Sequence, residues 1–600
     1  MPKIEVNEEV FYSLAGRRWN TKEEFEEALV CAKAELDSDF GSADSDRNLP
    51  GEERTLKIEL NDTNRPDLWS TAGCARQLRT YHGGKAPVFP FFSSPGAVKQ
   101  TKHKVIVKKS VAGVRPFLVG FIAGGKTVSD PMLRDMIQTQ EKLAWNFGRK
   151  RRSISMGIYR SAIIKWPIIY KGVDPDSVSF VPLQGSDHGL TPGKDHGLAH
   201  DPLTLTEILK QHPKGKEYAF ILEREKIHPL LTDSAGDVLS YPPIINSASL
   251  GAVQVGDSDL FIELTGTDQA SVTLAASIVA CDLADNGFTI EPVEMEYEFD
   301  TPFGRNCVTP YYFQEPVFCS LARVEKFLGE KLSADECLAA LAKMGVRAEK
   351  AHDSERGEKA KGEGVRAWPP EYRNDFLHAA DVAEDVMIGR GIALFRPERP
   401  HDFTVGRLTP LTYFSRRVKE LMVGMGYQEM IYNYLGSWKD FVEKMRGGAG
   451  SRIIRISNPM TENYEYIRDG ILASLLMSEA ASGHSSYPHS IFEIGKIVRR
   501  DETDNYGSVT RQYLGFLHAE KDANFNIAAA QIQTLFYYLS REYDVEEAGG
   551  DPRFIPGRAA AVMYRGKSVG VFGEIHPEVL ENWSLGTPCI AAEIDIEALV

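Results

Sequence analysis

Nowhere in these 600 residues do 18 apolar residues follow one another, so no membrane-spanning helix is expected. The opening, Met1-Pro-Lys-Ile-Glu-Val-Asn-Glu-Glu9, is acidic and lacks the apolar core of a secretory signal. Cys31, Cys74, Cys281, Cys307, Cys319, Cys337 and Cys589 form no CxxC pair. An odd, scattered set predicts reduced thiols in a cytoplasmic protein and speaks against a zinc site. There is no GxGxxG and no GKT loop, which leaves nucleotide binding of the Rossmann or P-loop kind unsupported. Internal repeats and low-complexity tracts are also missing. Positive charge is short: 69 Lys and Arg stand against 84 Asp and Glu, a net of −15. Phosphate contacts need local positive charge, so that balance counts against a nucleic-acid binder unless basic residues cluster. They cluster at Gly148-Arg-Lys-Arg-Arg152, with Lys102, Lys104, Lys108 and Lys109 upstream. Such a run reads either as a solvated face or as a nucleic-acid contact.

What is present is the composition of an ordinary globular chain, 42% apolar and 26% charged. Its length allows about three to five domains. Residues 1–90 read as a small domain. Lys22 to Leu36 has helical periodicity, with Phe25, Ala28, Leu29 and Ala32 on one face. A flexible acidic stretch, Asp37 to Arg54, precedes a strand from Leu56 to Leu60. Asn64-Arg65-Pro66-Asp67 reads as a turn, and Asp67 or Ser70 is positioned to cap a helix running to about Tyr81. Residues 97–298 mix β-rich runs with helices, including strands at Phe117–Ala123, Ala219–Leu222 and Asp259–Leu264 and an apolar helix from Ser271 to Asp285. Residues 299–394 carry helices at Leu321–Leu328 and Ala334–Met344, then a charged loop, Ala351 to Glu363, predicted to be exposed and mobile. Residues 395–600 read as α+β, with strands at Glu429–Tyr434 and Ser490–Val498. The fold class is therefore an α+β multidomain chain.

The densest chemical signal is Glu371-Tyr-Arg-Asn-Asp375-Phe-Leu-His-Ala-Ala-Asp381-Val-Ala-Glu384-Asp385. From Ala379 the segment is an amphipathic helix. Ala379, Val382, Ala383, Val386 and Met387 fall on one side. Asp381, Glu384 and Asp385 fall on the other, where like charges repel by about a few tenths of a kcal/mol per pair. A hard cation would reverse that sign, and an all-oxygen set suits Mg²⁺ or Ca²⁺. A solvated acidic face is the alternative.

This segment resembles the acidic metal-binding motif of the phenylalanine–tRNA ligase β-subunit family. Three further regions resemble that family in the same order: Leu56-Lys-Ile-Glu-Leu-Asn-Asp-Thr-Asn64-Arg65-Pro66-Asp67-Leu68; Tyr241-Pro-Pro-Ile-Ile-Asn246 with Glu263-Leu-Thr265-Gly266-Thr267-Asp268; and Ile491-Phe-Glu-Ile-Gly495 with Gly573-Glu-Ile-His-Pro577. Length and layout look like the archaeal and eukaryotic type. The resemblance implies a small N-terminal domain (1–90), a β-rich editing domain (97–298) and a small helical DNA-binding-like domain with a carboxylate helix (299–394). A class II ligase-like antiparallel sheet module (395–600) would close the chain. It implies Mg²⁺ at Asp375, Asp381, Glu384 and Asp385. It implies assembly as two α and two β chains, action on tRNA(Phe), and a cytoplasmic location.

Two further expectations concern chemistry. The family's active form carries an Arg-x-Glu motif and a Gly-rich motif ending in Glu-Arg, because a planar guanidinium neutralises phosphate bidentately. Here Phe492-Glu493-Ile494-Gly495 stands at the first motif, and Cys589-Ile-Ala-Ala-Glu-Ile-Asp-Ile-Glu offers no Gly-Glu-Arg. Adenylation is therefore expected on a separate α subunit. An apolar pocket rejects an added hydroxyl by only about a hundredfold, so removal of mischarged tyrosine is physically useful. Asn246, Glu263, Thr265 and Thr267 are the expected polar lining of such an editing site, with Glu263 accepting from the tyrosine hydroxyl. No Ser-His-Asp or Cys-His set accompanies them, so attack by positioned water is expected. Two rival readings are a scaffold with an inactive editing site and a free-standing tRNA deacylase.

Overall fold

A computed structural model describes all residues except 1, 38–53, 62–63, 84, 97, 184–200, 354–361, 401, 403 and 449–451. Most of the acidic stretch Asp37–Arg54 and most of the charged loop Ala351–Glu363 thus lie outside the described residues. The chain divides into two compact units, 1–398 and 399–600. Both mix helices with sheets.

In the first unit a three-stranded sheet takes the order Lys3–Asn7, Thr55–Leu60, Ala34–Leu36. The helix expected over Lys22–Leu36 ends at Leu29, continues as a 3₁₀ turn to Ala32, and reverses at Lys33. Ala34–Leu36 then pairs with Leu60–Ile58, so a long-range pairing overrides the local helical pattern. Arg65 and Asp67 form a buried ion pair at 2.8 Å, which makes the Asn64–Asp67 segment a structural turn. Ser70 Oγ accepts from Gly73 N at 2.9 Å and starts the helix Thr71–Gly83.

A ten-stranded sheet carries the site described below. One end of its path runs Thr289–Tyr297, Phe117–Gly124, Leu260–Gly266 and Ile154–Arg160 in that spatial order, the last at the edge. All seven residues of Leu260–Gly266 are buried, including the polar Glu263 and Thr265. The helix Gln269–Asp285 covers one face. Asp268 caps it by accepting from Ser271 N at 2.8 Å. It is apolar around nearly its whole circumference, the pattern of a helix buried on all sides. The expected strand at Ala219–Leu222 is a 3₁₀ turn over Ala219–Ile221. A third sheet, ordered Val317–Ser320, Gly362–Trp368, Arg347–Asp353, packs with the helices Leu321–Leu328, Ala334–Lys343 and Ala379–Arg390.

The second unit is built on a seven-stranded sheet whose centre is antiparallel. His489–Arg500 pairs with Ser508–Ala519, which pairs with Cys589–Asp595, and that with Lys567–Ile575. The run Glu429–Tyr434 is strand only at Gln428–Glu429, paired parallel to His489–Arg500 at the sheet edge.

Candidate functional site

Glu263 lies mid-strand, opposite Gly157 on one neighbour and Gly120 on the other. The glycine at 157 is required by space: a Cβ there would sit 2.7 Å from Glu263 Oε1 and 2.2 Å from the Tyr159 hydroxyl. In that gap the Tyr159 hydroxyl donates to Glu263 Oε1 at 2.9 Å, with Asn246 Oδ1 a further 3.4 Å contact. Glu263 Oε2 is buried and, among the described residues, has no hydrogen-bond partner. Burial raises the Glu263 carboxyl from 4.5 to about 7, while the Tyr159 hydrogen bond and the charge of Arg115 pull it down. Burial and the neighbouring Glu263 likewise push the Tyr159 phenol up, so it is a donor at any ordinary pH.

Thr265 points to the same face two residues on, but its hydroxyl is already engaged. It accepts from Arg115 Nε at 2.9 Å and lies 2.9 Å from Ser155 Oγ. Arg115 also donates to Ser155 Oγ and to the carbonyls of Thr265, Arg151 and Arg152, so all five guanidinium N–H groups are used. Buried without a hydrogen-bonded carboxylate, its guanidinium falls to about 10. Thr267 is exposed at the strand end and reaches back only through its backbone N–H to Ser153 O. The structure thus brings Asn246 and Glu263 together through Tyr159, ties Thr265 to Arg115, and leaves Thr267 outside. Arg115, Ser155 and Tyr159 gave no local sequence signal; Arg115 and Thr265 are 150 positions apart.

The carboxylate helix spans Ala379–Arg390. Buried Arg373 binds Asp375 through Nε at 2.9 Å and Nη2 at 2.6 Å, and Asp385 through Nη1 at 2.6 Å. Burial would raise the Asp375 carboxyl, but Arg373 outweighs it and holds it well below the carboxylate range. Asp385 is pushed up by burial against the same guanidinium. Asp381 closes the helix N-terminus, accepting from Leu377 N at 2.7 Å and His378 N at 2.6 Å. Glu384 pairs with Lys33 at 2.8 Å. Every one of the four is engaged by the protein itself, and among the described residues no three metal-binding side chains converge. As arranged, they do not fit a Mg²⁺ ion, because Arg373 holds the charge position a cation would take.

In the second unit Arg468 meets Glu493 in a buried two-point ion pair at 2.6 and 2.9 Å. Gly495 makes room for it; a Cβ there would lie 2.1 Å from Arg468 Nη2. A cavity of about 380 Å³ opens beside Asp469, Arg499, Asp551, Arg553 and Glu593. Arg553 is held by Asp551 at 2.7 Å and Glu593 at 2.6 Å, and Arg499 by the Asp469 carbonyl at 3.0 Å.

Residues 398–596 match the family described as phenylalanyl tRNA synthetase beta chain CLM domain, and residues 317–392 match the tRNA synthetase B5 domain. A phenylalanine–tRNA ligase β subunit of Treponema pallidum is 44% identical over 630 aligned residues, covering all of both chains. The chain belongs to the phenylalanine–tRNA ligase β-subunit family. A β subunit of Borrelia recurrentis is 42% identical, again over the whole of both chains. These bacterial relatives have the same compact length, so length does not support assigning the chain to an archaeal and eukaryotic type. An N-terminal fragment of the phenylalanyl-tRNA synthetase β subunit from Pyrococcus horikoshii shares the fold, with a TM-score of 0.54 and 33% identity. It aligns over 65% of this chain and all of that fragment.

Proposed function

We propose that this chain works as the β subunit of phenylalanine–tRNA ligase, joined to an α subunit as two α and two β chains in the cytoplasm. The complex would attach phenylalanine to tRNA(Phe) with ATP. Adenylation belongs to the α chain in this reading, because Arg468 is neutralised by Glu493 and Arg553 by Asp551 and Glu593. Residues 97–298 are assigned the editing role, 299–394 the helical domain and 395–600 the catalytic-like module. No step is assigned to Mg²⁺ on the carboxylate helix, whose residues do not fit it.

The observation that carries hydrolysis of mischarged Tyr-tRNA(Phe) is the unpartnered, buried Glu263 Oε2. Tyr159 occupies the other oxygen, which leaves one acceptor for one hydroxyl. The phenol of a tyrosyl ester supplies that donor and a phenylalanyl ester does not. An acceptor left unsatisfied costs about 1–3 kcal/mol, roughly tenfold or more in rate. Asn246 borders the same point. In this reading the attacking group is water, and the site acts by positioning the ester. Thr265 supports Arg115 and has no hydroxyl to spare for water.

Deacylation of Tyr-tRNA and Phe-tRNA by the assembled enzyme tests this. Wild type should hydrolyse Tyr-tRNA clearly faster, and Glu263→Ala should lower that preference about tenfold while phenylalanine charging persists. An unchanged Tyr-to-Phe ratio in the variant would place recognition elsewhere. Loss of charging as well would make Glu263 a support of the fold.

A further inference from the structure

The basic run Gly148–Arg152 is not a loose solvated loop. Arg149, Lys150 and Arg151 take φ of +50°, +57° and +64°, three successive residues in the left-handed region that side chains other than glycine rarely adopt. The turn is nonetheless closed by its own backbone: Lys150 N donates to Trp145 O and Arg151 N to Ala144 O, both at 2.8 Å. Two arginines clamp it to the Glu263 site. Arg115 binds the Arg151 and Arg152 carbonyls, and Arg151 reaches the Pro243 and Ile244 carbonyls at 3.1 Å, beside Asn246. A backbone outlier so firmly held is a sign of function rather than slack.

The loop presents charge and aromatic surface together. Lys150 Nζ lies 5.1 Å from the ring of Trp145, which is 46% exposed. Arg152 lies 4.8 Å from the ring of Phe220, which is 40% exposed. Among the described residues no carboxylate forms an ion pair with Arg149, Lys150 or Arg152. On the Trp145 side a groove of about 920 Å³ is lined by Trp69, Lys142, Trp145, Phe147 and Arg149. Unpaired cations alternating with exposed aromatic rings are what a single nucleic-acid strand requires: charge for the backbone and platforms for unstacked bases.

We propose that this loop and groove bind the unpaired 3′ end of tRNA and lead it over the end of the sheet to the Glu263 site. The occupant follows from the clamp: the ester read by Glu263 is attached to that end, so this inference rests on the editing reading. The test uses the full chain with its α subunit and a short oligoribonucleotide carrying the tRNA 3′ sequence, with binding followed by fluorescence anisotropy at several salt concentrations. Trp145→Ala should weaken binding about tenfold, within the range of one lost base stack. Arg149→Asn with Lys150→Asn keeps residues that accept the left-handed backbone. It should weaken binding and flatten the salt dependence by about 1.4 in log–log slope, two charges at roughly 0.7 each. Arg149→Lys with Lys150→Arg should restore both. Unchanged affinity and slope in Trp145→Ala and the asparagine pair would overturn the proposal, as would failure of wild type to bind the oligonucleotide. A failure of the editing reading would show separately, as an unchanged Tyr-to-Phe ratio in the deacylation assay.

Discussion

Replacing Glu263 by glutamine should change stability in a pH-dependent way. Burial raises this carboxyl from 4.5 to about 7, with Tyr159 and Arg115 opposing. The folded chain therefore keeps a proton there that the unfolded chain releases. Between those two values the native state binds more protons, so stability is highest below the unfolded value, falls as pH rises, and levels off above the folded value. At about 1.4 kcal/mol per tenfold difference the whole loss is on the order of 3 kcal/mol, of which about 2 kcal/mol falls between pH ~5.5 and ~8.5. Glutamine does not titrate. Its amide adds an unsatisfied donor in place of Oε2, a cost that is the same at both pH values and cancels. The gap between variant and wild type should therefore move by about 2 kcal/mol in the variant's favour across that range. A chain of two units need not unfold in one step, so the assay is hydrogen exchange of the Leu260–Gly266 amides, corrected for intrinsic rates. A gap that does not move with pH would refute the burial-raised carboxyl at Glu263.

Three other outcomes follow from the charge pairings. The isolated chain should show no phenylalanine-dependent ATP–pyrophosphate exchange, and robust exchange without an α subunit would contradict the reading of the second unit. Arg373→Met should destabilise the first unit by about 3–5 kcal/mol, because Asp375 and Asp385 are left buried without their cation. Millimolar Mg²⁺ should leave the wild-type melt unmoved, and a clear stabilisation by Mg²⁺ would show that the helix takes a cation after all.

Regular elements with a strong local signal were legible in the sequence. The strand read at Asp259–Leu264, with its Leu-Phe-Ile centre, and the apolar helix from Ser271 are used by the fold directly. Short or ambiguous runs were not. Ala219–Leu222 is four apolar residues, too few to separate a strand from a helical turn, and it turns. The helix begun at Lys22 stops because Ala34–Leu36 is claimed by a strand more than twenty positions away. The candidate site was half legible. Glu263 and Asn246 stood out, but Tyr159 and Arg115 become neighbours only through sheet pairing. Arg373 was legible as well: it stands inside the acidic motif, two residues before Asp375. A cation supplied by the chain beside the first of the four carboxylates weakens the case for a metal on the sequence alone.

The three arginine-centred clusters and the Glu263 site differ in one respect that sorts structural charge from functional charge. Arg373, Arg468 and Arg553 are each matched to carboxylates at short range, and such pairs hold segments in place without leaving anything for a substrate. Burial alone does not mark the functional group. Asp282 is also buried, with its carboxyl raised to about 7 and Oδ2 unpartnered. Its other oxygen, however, is bound by Arg76 at 3.0 Å where two helices pack, so the group is explained by the fold. Among the described residues Glu263 has no hydrogen-bonded cation, faces Gly157 on the neighbouring strand, and keeps one oxygen free under a single tyrosine hydroxyl. Leaving a carboxyl in that state lowers stability, most of all above its raised value. A site that must tell one hydroxyl from none has to hold such an acceptor open, because filling it from within the protein would remove the distinction.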